Sequence, residues 1–139
     1  MAMPQKTWPH FQHKNSSTMK IEAFDNFFLG ATDLRESKSF YLDTLGLDVK
    51  FDFADSGMVA FAVGEEEPAI ILKDRAKFPA IKPMIWFKVE SVQKSYQELK
   101  SKGVIFLTEP FTIRTGWAVE FKDPAGNVLG ITDYQNQGS

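Results

Sequence analysis

Apolar and polar residues alternate most regularly near the C-terminal end of the chain, in the sequence FKDPAGNVLGIT at 121–132. Asp, Pro, Gly and Asn favour a tight turn, and the apolar residues on both sides favour strands, so this stretch predicts a β-hairpin. In the strand after the turn, Leu129 and Ile131 share the face that we expect to meet the core, while Gly130 points to the other face. That other face is predicted to carry any site.

The first half of the chain predicts a strand, a helix and three more strands. A phenylalanine-rich run at 21–31 indicates a buried strand, and Asp33 with Glu36 three residues later has the pattern of a helix N-cap. Gly46 stands where a helix commonly ends. The predicted apolar stripe of this helix consists of Leu34, Tyr41 and Leu45. The further strands are predicted at 49–53, 58–63 and 69–73.

The same order of elements begins again after a connector at 74–83 that contains two prolines. A strand at 84–90 is followed by Ser91, a residue suited to cap a helix, and the helical pattern ends at Gly103. The remaining strands are predicted at 104–107, at 117–122 and in the hairpin, with an irregular connector at 108–116.

An internal repeat relates the two halves. Aligning Asp33 with Ser91 places Phe28 on Trp86, and each half then has the order strand, helix, strand, strand, strand. A unit of this kind cannot bury its own apolar face, so two of them should pack side by side. We therefore predict an α+β fold in which two βαβββ modules form a curved mixed sheet with helices on its convex side. The concave face is the expected pocket.

Composition and charge limit the classes of partner. The chain has 139 residues, 43% of them hydrophobic, and a formal net charge of -2 with both signs interspersed. This pattern gives no electrostatic footprint for nucleic acid or an anionic membrane, so neither partner is predicted. No cysteine is present, which excludes disulfides and thiolate chemistry, and no apolar run reaches the roughly 18 residues that a membrane span needs. We expect a cytoplasmic location.

The two ends of the chain carry no hydrophobic period. Both histidines, His10 and His13, lie in the polar N-terminal stretch. A His pair at this spacing can bind a metal on a helix, but in a proline-broken polar arm a solvated tail is the simpler interpretation. The predicted division of the chain is a flexible or vector-derived leader at 1–20, a domain at 21–134 with modules 21–78 and 79–134, and a frayed tail at 135–139.

Two motifs resemble a known family. TDLRES at 32–37, followed by Phe40-Tyr41 and LGL at 45–47, resembles the opening signature of the glyoxalase/bleomycin-resistance/dioxygenase group, the vicinal oxygen chelate superfamily. FKDPAGN at 121–127 resembles its closing signature. The resemblance covers 21–134 and implies the fold given above. It leaves function open, since the family includes metal-dependent isomerases, dioxygenases and thiol transferases as well as metal-free drug-binding proteins.

The resemblance also implies where metal ligands would stand. In metal-dependent members they lie on the first and last strands of the modules, at positions that correspond here to Asn26, Met84 and Gly130. Glycine offers no ligand, a thioether suits Cu(I), and an amide oxygen is a weak donor. Residues 20–139 contain neither His nor Cys. We therefore predict no metal ligands and no cofactor.

Strand alternation predicts what takes the place of a metal. Phe28 and Trp86 are placed to stack on a planar ligand, and Lys88 and Glu120 to orient it or to pair with each other. Arg114, in a loop, is suited to an anionic ligand. Each of these residues also has a simpler interpretation. Trp86 and Met84 would pack in the core, Lys88 and Glu120 would form an ion pair at the rim, and Arg114 would be solvated. The predicted ligand-binding set is Asn26, Phe28, Met84, Trp86, Lys88, Arg114, Glu120 and Gly130.

Three hypotheses on function follow. The first is a metal-independent protein that binds a planar or aromatic small molecule, for sequestration or sensing, and that resembles the bleomycin-resistance type, whose members imply a homodimer. The second is a lyase, isomerase or dioxygenase-like enzyme, using Glu120 and Lys88 for acid–base chemistry or an unusual metal site built from Asn26 and loop carboxylates. The third is an assembly partner with a filled cavity.

Overall fold

The computed structural model of the protein describes residues 19–136. Most of the predicted leader, with His10 and His13, and residues 137–139 of the predicted tail lie outside the described residues. In chain order the elements are β1 (Ile21–Ala31), α1 (Leu34–Ser39), β2 (Asp48–Phe53), β3 (Met58–Ala62), β4 (Ala69–Asp74), β5 (Met84–Val89), α2 (Val92–Ser101), β6 (Ile105–Phe106), β7 (Phe111–Ile113), β8 (Gly116–Lys122) and β9 (Val128–Thr132).

One mixed sheet joins the two halves of the described chain. Its strand order is β2-β3-β4-β1-β5-β9-β8-β6, and β7 pairs with β8 outside this row. Each module pairs its first and last strands in parallel, β1 with β4 and β5 with β9, while β1 and β5 meet antiparallel at the centre. The predicted α+β class and the pairing of two similar modules are confirmed.

Both helices lie on the same face of the sheet, each over its own module. Leu34 of α1 is buried against Phe61 and Leu72, and Val92 of α2 is buried against Val119 and Ile131. Leu129 packs beside Ile131 in the second cluster, so this pair faces the helices as predicted. No helix of residues 19–136 is long and apolar enough to cross a membrane.

The predicted helix boundaries rest on local capping, and the structure shows the same caps. The Glu36 amide donates to the Asp33 carboxylate at 3.0 Å, and the Lys94 amide donates to the Ser91 hydroxyl at 3.2 Å. Gly46 and Gly103 follow the two helical segments with φ of 73° and 87°, in the left-handed region that glycine adopts without strain.

The first helix differs from its prediction after Ser39. Phe40–Thr44 continues as a π-helix, which the Leu45 amide closes on the Phe40 carbonyl at 2.9 Å. The wider turn rotates the side chains that follow it. Leu45 is therefore 51% exposed, and Leu47 packs instead on the cluster around Leu34. The prediction that Leu45 belongs to the buried stripe was wrong, because it assumed 3.6 residues per turn throughout.

The connector predicted at 108–116 contains the strand β7. Its three residues pair with the start of β8, and Phe111 and Ile113 pack on the side of the sheet away from the helices. The strand was missed because three residues between Pro110 and Gly116 are too few to show a period of two.

Candidate functional site

A row of side chains crosses the concave face at the junction of the modules. Asn26 of β1 stands opposite Trp86 of β5, Trp86 lies beside Gly130 of β9, and Gly130 stands opposite Glu120 of β8. Residues paired across strands point to the same face of a sheet. In the next row, Phe28 stands opposite Met84. The structure therefore places six of the eight predicted site residues on adjoining positions of one face.

The centre of this face is packed with apolar side chains. Phe28 and Trp86 are only 5% and 7% exposed, and their ring centroids lie 5.0 Å apart at an interplanar angle of 57°. The connector between the modules contributes to the packing, since Ile81 is buried in this cluster and Phe78 packs against it. The expectation of an open hollow across the concave face is thus corrected, because two large rings and the folded connector fill its centre.

Gly130 allows Trp86 to lie against the sheet. A Cβ at this position would stand 2.4 Å from Nε1 and 2.5 Å from Cδ1 of the indole ring, closer than carbon and these atoms approach without movement. The position at which metal-dependent relatives carry a ligand is therefore covered by the indole of the neighbouring strand.

Asn26 is engaged in holding the sheet together. Its Oδ1 accepts a hydrogen bond from the Ala69 amide at 2.9 Å, and its Nδ2 donates to Asp25 at 3.2 Å. These bonds fix the start of β4 beside β1. With both polar ends of its amide in use, Asn26 has a structural role that accounts for its presence on the strand.

The residues at the three expected ligand positions do not fit a metal ion. Asn26 is hydrogen-bonded to protein atoms, Met84 packs against the aromatic cluster, and Gly130 lies beneath an indole. No group of three or more His, Asp or Glu side chains within residues 19–136 is arranged to hold a cation. We derive no chemical step through a metal.

Lys73 is a site residue that the sequence analysis missed. It lies on β4 beside Gly30, and its Nζ stands 5.0 Å from the ring centroid of Phe28 and 4.7 Å from that of Phe78. Burial lowers the pKa of the Lys73 ammonium, and the charge of Glu120 opposes that shift. A signal was present, since alternation along β4 puts Lys73 on the same face as Ile71, which belongs to the concave cluster.

Glu120 faces Lys73 across the curved sheet. Burial raises the pKa of the Glu120 carboxyl, while the Lys73 charge and the Trp86 indole N–H oppose the rise. The indole is near, but its Nε1–H is fully buried and meets no acceptor in hydrogen-bonding geometry among the described residues. The site thus combines a partly buried carboxyl whose pKa is raised, a partly buried ammonium whose pKa is lowered and an unsatisfied N–H donor.

Lys88 and Arg114 lie apart from this group. Lys88 is exposed, with its Nζ 5.5 Å from the ring centroid of Tyr134, whose hydroxyl donates to Asp25. Burial raises the pKa of Asp25, and the Lys88 charge opposes the rise. Glu120 has Lys73 as its charged neighbour rather than Lys88. Arg114 is exposed in the turn between β7 and β8.

An open hollow lies mainly on the helix-bearing face. It is an apolar groove of about 710 Å³ between the two modules, and Phe24 on its rim is 52% exposed. Strand residues that point away from Trp86 form much of its floor, namely Phe27, Leu29, Ile70, Ile85 and Leu129. Two predicted site residues, Phe28 and Met84, also line this groove, whereas Lys73, Trp86 and Glu120 do not.

Comparison with known proteins places this architecture in a family. A sequence model of the Glyoxalase/Bleomycin resistance protein/Dioxygenase superfamily matches residues 23–131, from the first strand to the last. The chain belongs to this superfamily. Among its relatives, the uncharacterized protein YraH of Bacillus subtilis (strain 168) is 30% identical over 119 residues, covering 71% of this chain and 88% of YraH.

Solved structures show the same superfamily fold. Methylmalonyl-CoA epimerase from Mycobacterium tuberculosis superposes with a TM-score of 0.64 at 18% identity, covering 86% of this chain and 93% of the epimerase. A variant of homoprotocatechuate 2,3-dioxygenase from B. fuscum gives a TM-score of 0.63 at 22% identity, covering 82% of this chain but only 33% of the dioxygenase. The resemblance indicated by the two sequence motifs is thereby confirmed.

Proposed function

We propose that this superfamily member binds a planar small molecule at the margin of its concave face without using a metal ion. The buried, unsatisfied indole N–H of Trp86 carries the proposal. A buried donor without an acceptor costs about 1–3 kcal/mol of free energy. A ligand that supplies an acceptor beside Trp86 recovers that free energy, so the cost in the free protein becomes affinity in the complex.

The surroundings of Trp86 have the composition of a small-molecule site. Phe78 offers a ring face, and Lys73 and Glu120 supply a few polar groups at the partly exposed side of the packed cluster. Such a combination of apolar walls with a small number of polar groups is typical of ligand pockets. Sequestration or sensing is the role that fits binding without chemistry. A homodimer and a cytoplasmic location stay predictions from the sequence.

Fluorescence titration with a panel of flat aromatic compounds tests this function. A ligand at 100 times its dissociation constant should raise the free energy of unfolding by about 2.7 kcal/mol and should change the emission of Trp86. The Trp117→Phe variant should keep the emission response, because Trp117 packs on the α2 side of the sheet, and Trp86→Phe should lose it. A panel in which no compound alters either the emission or the melting temperature contradicts the proposal.

A second candidate function is metal-free acid–base catalysis by the same residues. Burial raises the pKa of Glu120 and lowers that of Lys73, so both pKa values shift in the direction of neutral pH. Proton transfer is most effective when the catalytic pKa lies near the working pH. Turnover of a bound compound that is abolished in both Glu120→Gln and Lys73→Met separates this candidate from binding alone.

The raised pKa of Glu120 predicts a pH-dependent stability. Because the folded state favours the neutral carboxyl, the stabilisation from Glu120 is fully present below its ordinary pKa of 4.5 and is lost as pH rises through the raised value. Glu120→Gln should therefore gain in free energy of unfolding relative to wild type as pH increases above 4.5. Urea denaturation between acidic and neutral pH measures this difference.

The exposed Glu109→Gln variant corrects for the general effect of removing one negative charge. If the two glutamine variants follow the same pH profile, burial of Glu120 has no measurable effect on stability.

A further inference from the structure

We infer that the ligand is a planar organic oxyanion, such as an aromatic carboxylate or a phenolate, whose oxygen is held between the Lys73 ammonium and the Trp86 indole N–H. This inference rests on the proposed binding function and specifies the chemical class of the ligand. It follows from counting the donors and acceptors that the site leaves unused.

Trp86 provides a donor and no acceptor. The indole carries one N–H and cannot accept a hydrogen bond in return. The residue is 7% exposed, and its N–H has no acceptor in hydrogen-bonding geometry within residues 19–136. Gly130, directly beside it, has no side chain to offer. The ligand group that complements this edge of the indole must therefore be an acceptor.

Lys73 provides further donors in the same region. An ammonium has three N–H groups and no lone pair, and the contacts of Lys73 Nζ are the ring faces of Phe28 and Phe78. The ion pairs of the described chain are Lys38–Asp52 and Lys102–Glu98, so Lys73 has no carboxylate within 4.0 Å. Rings attract a cation but do not replace a charged acceptor.

A second cationic side chain, Arg75, lies at the same end of the concave face as Lys73. Gly30 stands beside Lys73 in the sheet, and the guanidinium of Arg75 lies against Gly30, with its Nη1 donating to the Ile81 carbonyl at 3.4 Å. Two cations therefore flank this end of the concave face. Both attract an anionic group, and Glu120 is the opposing charge that acts on Lys73.

Glu120 does not reverse this preference. A cationic ligand would need Glu120 as its counter-charge, but burial makes the charged form of that carboxyl costly and raises its pKa, and Lys73 is already the opposite charge that acts on it. The partly buried ring of Phe78, which packs against this cluster, supplies apolar surface that a flat body covers. Donors and aromatic faces together select a planar anion.

Three ligands with one ring system and different charges test the inference. They are 2-naphthoate, 2-naphthamide and 2-naphthylmethylammonium, titrated into ¹⁵N-labelled protein while the indole N–H signals are recorded by NMR. We expect the naphthoate to bind at least about tenfold more tightly than either of the others, as charge-assisted hydrogen bonds are the stronger class. The Trp86 indole proton should move downfield on binding, and the Trp117 indole proton should not. Trp86→Phe assigns the signal by its loss.

A charge-removing variant locates the anion. Lys73→Met keeps a side chain of similar length and should lose about tenfold in naphthoate affinity while naphthamide binding is unchanged. Lys73→Arg should retain the preference for the anion. Lys100→Met, on α2 at the opposite face, serves as the control and should bind all three compounds as wild type does. Native amide spectra of each variant confirm that the fold is intact.

The outcomes separate this inference from the function on which it rests. If naphthamide or the ammonium compound binds as tightly as naphthoate, the binding function stands, but the assignment of the ligand as an oxyanion is wrong. If the Trp86 indole proton is already downfield in the free protein and moves upfield in Glu120→Gln, the N–H is satisfied internally and the inference fails. If no compound of this set or of the fluorescence panel binds, both proposals fail.

Discussion

Asp133→Ala is expected to lower the free energy of unfolding by about 3 kcal/mol or more, since each buried N–H left without an acceptor costs about 1–3 kcal/mol. Asp133 follows β9 and is only 1% exposed. Its Oδ2 accepts from the Val92 amide at the start of α2 at 2.8 Å, and its Oδ1 accepts from the Trp117 amide at 3.0 Å. One carboxylate therefore ties a helix N-terminus to two strands, and alanine removes all of these bonds.

The N-terminus of α1 supplies a control for Asp133. Asp33 also accepts from a backbone amide at a helix N-terminus, but it is exposed, so water can replace its carboxylate. Asp33→Ala should cost about 1 kcal/mol, the usual effect of losing an N-cap. Urea denaturation of both variants gives the comparison. Equal losses would show that burial of the Asp133 carboxylate adds nothing to the capping effect.

Gly130→Ala is expected to destabilise the protein by about 1–3 kcal/mol, the usual cost of overpacking a well-filled interior. The added methyl group would stand 2.4 Å from Trp86 Nε1, so the indole has to move away from the sheet. Its movement should change the fluorescence of Trp86 in the folded protein. Thermal unfolding gives the loss of stability, and the emission spectrum reports the displacement.

Gly30→Ala is the comparison for Gly130→Ala. A Cβ at position 30 also meets close atoms, at 2.7 Å, but these belong to the guanidinium end of Arg75, an exposed side chain that can swing away. The substitution at Gly30 should therefore cost less and should leave the tryptophan emission unchanged. A larger loss of stability at Gly30 than at Gly130 would falsify the view that the rigid indole is what requires glycine.

The fold could be predicted from the sequence because its main signals are local. Asp33 and Ser91 mark the helix starts, and the glycines that follow mark the ends. The 123–127 turn is held by the Asp123 carboxylate, which accepts from the Asn127 backbone and side-chain amides and from the Ala125 amide. The Asn127 side chain is also the leading cause that lowers the pKa of Asp123. The closing motif of the family is thus a self-contained turn.

The arrangement of the candidate site depends on contacts that no local pattern encodes. Alternation along β1 and β5 was enough to place Asn26 and Trp86 on one face. The approach of Lys73 to Glu120 depends instead on the curvature of the sheet, which brings β4 of one module towards β8 of the other. Phe78 comes from a proline-containing connector with no period, so its packing on the cluster could not be anticipated.

The position of Asp25 near Lys88 is a second feature that the sequence pattern does not predict. The register between β1 and β5 shifts between Phe24 and Asn26, which marks an irregularity of the kind called a β-bulge. Asp25 lies within this irregularity, between Tyr134 and Asn26. A one-residue bulge leaves the apolar pattern of the strand almost unaltered, so no pattern in the sequence indicates that Lys88 acts on the charge of Asp25.

The contact between Trp86 and Gly130 also constrains the mutational paths open to this chain. A carboxylate introduced at position 130 alone would collide with the indole, and shrinking Trp86 to alanine first would cost about 3–5 kcal/mol through the cavity it leaves. Either order passes through a destabilised single variant. A metal-ligating side chain at position 130 therefore requires two coupled substitutions. A single substitution at position 130 is therefore not enough to build a metal site on this face.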